Sequence, residues 1–153
     1  MDPNSELLQP SLGSDAGPAT ALYSVRTGYL SAFFGGPVAA ALVALVNAHR
    51  LKRLRTDWPV AALAVLASLA LAWWEFRAGG RPWLEARLGR GGSIYAVRGA
   101  GLAVFGLVYL MHRMHYRSMA VMGVKGPSGW VLGIGAILAG IFATAAMEAA
   151  VTQ

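Results

Sequence analysis

Cysteine is absent from this 153-residue chain, which excludes disulfides and thiolate metal centres and leaves the redox compartment open. Charge is scarce as well. Asp, Glu, Lys and Arg make up 13% of the residues, about half the share of an ordinary soluble domain. Acids are the scarcer sign, 7 against 13 bases, for a formal net charge of +6. They are scattered over the termini and both ends of the apolar runs, so no Ser-His-Asp geometry emerges and the chain reads as non-enzymatic. No basic stretch precedes the first apolar run, which argues against a cleaved secretory signal.

What the chain has is apolar length. Residues 29–48, 58–76, 94–111 and 130–150 are four runs within a sequence that is 56% hydrophobic. At about 1.5 Å per residue, a run of about 20 crosses the roughly 30 Å hydrocarbon layer. Charges are largely kept out of these runs, where each costs about 2.5–3.5 kcal/mol at helix centre. A soluble chain distributes its charges along amphipathic helices instead. The expected fold is all-α: a polytopic membrane protein, a four-helix transmembrane bundle. The bases cluster beside the runs, which reads as topology and anionic-lipid contact before nucleic-acid binding.

Residues 1–20 hold three prolines, acids and no bases, and read as a disordered tail ahead of a transmembrane domain over 21–153. The connection from Arg77 to Ser93 carries Gly79-Gly80-Arg81-Pro82 and Gly89-Arg90-Gly91-Gly92, two turn signals. Between them Trp83, Leu84 and Leu88 fit one face of a short interfacial helix, with Arg87 on its polar side. Ser128 is an expected N-cap for the last run. Four spans place both termini on one side. The first and third connections then hold seven bases against six opposite. The density within Arg50–Arg55 puts the termini outside.

Small residues four apart mark helix interfaces in lipid. The last run offers Ala136, Gly140, Thr144 and, beside them, Gly135, Ala139, Ala143. The first offers Ser31, Gly35, Ala39, reaching Asn47; the second offers Ala64, Ser68, Ala72. Pro37 follows Gly35-Gly36 inside the first run and predicts a kink. That kink is either a packing bend or a broken helix exposing backbone to an ion.

Polar residues at membrane depth are functional candidates by default. Asn47 is placed to hydrogen-bond a neighbouring helix. Glu148 reaches the interface or pairs with Arg98; Arg98 otherwise snorkels to the headgroups. His49, His112 and His115 fall at one membrane face by helix parity, and imidazoles suit zinc, copper or haem iron. No Asp or Glu accompanies them in this reading, and Arg50, Arg113 and Arg117 crowd the site. A basic aromatic patch that includes Tyr116 is therefore expected, with no metal and no cofactor.

Several motifs resemble those of a group of small bacterial multi-spanning membrane proteins. Leu22-Tyr23-Ser24, Phe34-Gly35-Gly36-Pro37, Asn47 and Arg50-Leu51 follow that group's Y-S…F-x-G-x-P…N pattern. His115, Gly123, Lys125-Gly126, Ser128, Trp130 and Gly133-Ile134-Gly135 look like its second signature. Val38 and the alanines after it depart from the smaller residues usual there. The resemblance implies a four-span protein of a bacterial inner membrane and transfers no catalytic or binding residue. Three roles remain. The first is a non-enzymatic component that packs against itself, a membrane partner or anionic lipid. The second is a small transporter or channel subunit using Pro37, Asn47, Arg98 and Glu148. The third is a haem- or metal-dependent redox protein using the histidines.

Overall fold

The computed structural model describes residues 22–123 and 126–152; the tail over 1–20 and Lys125 lie outside them. The described residues form helices α1 (Val25–Arg50), α2 (Leu54–Arg77), α3 (Gly80–Leu88), α4 (Gly92–Val121) and α5 (Trp130–Thr152). Four of these, α1, α2, α4 and α5, are long and apolar enough to cross a membrane. The protein is thus an all-α polytopic bundle. Its outer surface is apolar, with Leu66, Leu110, Phe142 and Val131 all exposed, as lipid permits and water does not.

The break in α1 is far sharper than a bend. A straight helix of its 26 residues is about 39 Å long. Yet the Tyr23 backbone N–H donates to Asn47 Oδ1 at 2.9 Å, and the Arg50 guanidinium lies 4.5 Å above the Tyr23 ring. The two ends of α1 therefore meet. The reversal is at Gly36, with φ 70° and ψ −162°, a region essentially closed to residues with a Cβ. Pro37 then opens the second half-helix, where its fixed φ fits and its missing N–H is not needed. Residues 25–35 and 37–50 are the arms of a helical hairpin that enters and leaves at one end of the bundle.

This overturns the expectation that both termini share a side. Leu22 donates its N–H to Met119 Sδ at 3.4 Å, beside the end of α4. The far end of the chain is pinned where Arg77 Nε donates to the Val151 carbonyl at 2.6 Å. One end of the bundle, the histidine end, holds Leu22, the α1–α2 connection, the end of α4 and the start of α5. The opposite, glutamate end holds α3, the ends of α2 and α5, the start of α4 and, facing it from within, the hairpin tip.

Glycines seat that tip. A side chain at Gly101 of α4 would overlap the Ala32 carbonyl and come within 2.9 Å of Gly36. One at Gly140 of α5 would overlap the Gly35 carbonyl and approach Ala39 Cβ to 3.0 Å. Breaking the helix leaves carbonyls of its last turn without intrahelical donors. The bare α-carbons of Gly101 and Gly140 lie against two of them, an arrangement that suits Cα–H···O contacts. The small-residue stripes are thus largely used inside the chain: Ala39, Val43 and Ala136 form one apolar cluster, and Ala41, Ala61 and Ala64 another.

The short helix expected between the second and third runs is α3. Leu84 is its buried anchor while Leu88 stays exposed, and Trp83 meets Trp74 edge-on at 5.9 Å. At α5 the Gly129 carbonyl accepts from the Gly133 N–H at 2.7 Å. That bond puts Gly129, not Ser128, in the cap position.

Candidate functional site

Two polar clusters occupy the two ends. At the histidine end Asn47 is 1% exposed. It accepts from Tyr23 and donates through Nδ2 to the Tyr116 hydroxyl at 3.2 Å. This amide ties the hairpin's two arms to α4, as expected of it but with Tyr23 as the unforeseen partner. Helix α4 continues beyond the third run, so His112 and His115 ride on one face, with ring centres 6.3 Å apart. His49, at the end of α1, is exposed.

The expectation that no acid accompanies the histidines fails. His112 Nε2 lies 2.8 Å from Asp57 Oδ2, and the two side chains are 2% and 6% exposed. Asp57 stands in the first turn of α2, where a carboxylate also favours the positive end of the helix. Its position just outside the second apolar run hid it, although helix parity puts it at the same end as His112. Among the described residues no three His, Asp or Glu groups come together to hold a metal.

At the glutamate end, Glu75 of α2 and Glu148 of α5 line one small cavity with Pro37, Ser68, Val97 and Thr144. Its volume of about 20 Å³ holds one water or a bare small cation. Glu75 is 4% exposed, and its Oε1 has no hydrogen-bond partner. Ser68 Oγ donates to the Ala64 carbonyl at 2.7 Å and Thr144 Oγ1 to the Gly140 carbonyl at 2.9 Å. Both hydroxyl protons are engaged by their own helices, so the cavity wall offers mainly acceptor oxygens. Such a wall is chemically suited to a cation or a proton.

No protein-family model, no curated protein and no solved structure matches the chain. The site must therefore be read from its own geometry. Of the residues singled out in the sequence, Pro37 and Glu148 come together there. Arg98 does not pair with Glu148; its guanidinium stands 4.7 Å over the Phe33 ring, near the hairpin tip, a cation–π seat. Asn47 is at the other end. Glu75 is not legible as a site residue in the sequence, because it falls in the last turn of an apolar run. Its signal was that α2 and α5 both finish at one end, which pairs it with Glu148.

Proposed function

We propose that the protein is a small transport or channel subunit of a bacterial inner membrane, passing a proton or small monovalent cation by way of the Glu75–Glu148 cavity. The observation that carries this reading is a buried carboxylate oxygen without a partner, facing the tip of a broken helix. A carboxylate out of water needs a proton, a cation or a donor to satisfy it. Broken helices at membrane depth recur where transporters hold ions. The interaction role loses its main support, since Gly35, Gly140, Ala39 and Ala136 meet one another within the chain.

Oligomerisation fits the same reading, because a single small bundle offers little enclosed path. Gly135 and Ala139 of α5 remain exposed, a face that admits a second copy. The hairpin also alters the charge count. Among the described residues Arg26 joins Arg50, Lys52, Arg53, Arg55, Arg113 and Arg117 at the histidine end, against Arg77, Arg81, Arg87, Arg90 and Arg98 opposite. Under the positive-inside rule that favours a cytoplasmic histidine end.

Cation or proton flux into proteoliposomes tests the proposal. Replacing Glu75 by Gln is expected to lower the flux at least about tenfold, and Glu148→Gln to lower it less. Flux equal to that of the wild type in both variants, or no flux above protein-free liposomes, would overturn it.

A further inference from the structure

A second cavity, unrelated to the glutamates, opens between the first arm of α1 and the start of α5. Its volume is about 390 Å³, and it runs from Ser24, Arg26 and Ser128 at the histidine end to Phe34 and Ile137. The two helices begin side by side and run in the same direction. Thr27 lies against Gly129, Ser31 against Gly133 and Gly35 against Ile137. Ser24 Oγ caps the Thr27 N–H of α1; the other first-turn N–H groups and the dipoles of the two helices converge at the mouth. Neither helix has an acid in its first turn. Arg26 is exposed and has no ion-pair or hydrogen-bond partner among the described residues. Such a mouth is complementary to a phosphate.

Deeper in, the chemistry changes. Ser31 is 0% exposed and its Oγ has no hydrogen-bond partner. It lines the cleft about one turn below Thr27 and faces the bare α-carbon of Gly133. Beyond it the walls are Leu30, Phe34, Ile134 and Ile137. Phe34 and Ile134 are exposed on the outer surface, so the cleft opens sideways to lipid. From Ser24 to Phe34 is about 15 Å along the helix, the depth of one leaflet of a hydrocarbon layer about 30 Å thick.

We propose that this cleft binds one anionic phospholipid of the surrounding bilayer. The phosphate sits on Arg26 and the two helix starts, an ester carbonyl accepts from Ser31 Oγ, and one acyl chain lies along the apolar walls. A zwitterionic lipid has the same chain, but its ammonium group meets the positive mouth and repels it.

Native mass spectrometry of the full chain in mild detergent, titrated with phosphatidylglycerol or phosphatidylcholine, tests the site. Saturation at one phosphatidylglycerol per chain is expected, with phosphatidylcholine about tenfold weaker. Arg26→Gln should weaken phosphatidylglycerol about tenfold and leave phosphatidylcholine unchanged. Gly133→Leu fills the cleft and should abolish saturable binding. Arg90→Gln, an exposed arginine at the opposite end, should change nothing. Equal retention of the two lipids, or wild-type binding by both the Arg26 and Gly133 variants, would overturn the proposal. Saturable binding that appears only after residues 1–20 are removed would assign the cleft to that segment instead.

Discussion

The two ends of the bundle bury similar chemistry and satisfy it differently. At the histidine end Asn47 is bonded to Tyr23 and Tyr116, and Asp57 to His112, while Asp57 Oδ1 and His112 Nδ1 have no hydrogen-bond partner. At the glutamate end Glu75 faces a second acid, Glu148, across a cavity, and its Oε1 also has no partner. A carboxylate set against an imidazole is held by a group able to carry the opposite charge. A carboxylate set against another carboxylate leaves a place for a proton or cation that arrives and departs. The contrast separates scaffold from candidate site.

The largest expected effect concerns which end is which. The chain has no cysteine, so Ser5→Cys and Thr152→Cys can each be labelled without background. An impermeant maleimide should reach them from opposite faces of oriented vesicles. Labelling of both from one face would show that α1 crosses the membrane straight, and would dissolve the distinction between the ends.

Next in size is the buried pair. Asp57→Ala leaves His112 desolvated and alone, and should lower stability by about 3 kcal/mol in detergent unfolding. The double variant Asp57→Leu/His112→Leu should recover much of that loss, since two packed apolar chains replace two buried polar ones. A double variant as unstable as the single would mean that the pair is not what anchors α2 to α4.

Gly140→Leu pushes a side chain against the Gly35 carbonyl and Ala39, and should cost about 2 kcal/mol by overpacking. Unchanged unfolding would place that face of α5 against lipid rather than the hairpin tip. The smallest effect on stability is expected from Glu75→Gln, within about 0.5 kcal/mol, because the amide has the same shape, can still accept from Ser93 and forfeits no ion pair. A loss comparable to that of Asp57→Ala would make Glu75 another structural anchor and erase the contrast between the ends.

Much of the fold was legible because lipid imposes simple rules. Length and apolarity located four long helices, and the turn signals around Gly79 and Gly91 bounded α3. Pro37 marked the break. The hairpin itself was not legible, since Gly-Gly-Pro in an apolar run suits a bend and a reversal equally well. Choosing between them needed Asn47 to find Tyr23, a partner 24 residues away. The site was half legible: Glu148 stood out within its run, while Glu75 and Asp57 lay at run ends where charges are commonplace.

Sequence alone therefore determined the solvent of this protein, its helical content and the residue at which the first helix fails. These depend on transfer free energies and local backbone sterics, which each residue carries wherever it goes. Tertiary structure decided that the first helix returns to the side it came from, which buried acid faces a base, and which one faces another acid. Those outcomes depend on which surfaces meet across the bundle, and a one-dimensional pattern specifies faces without specifying their neighbours.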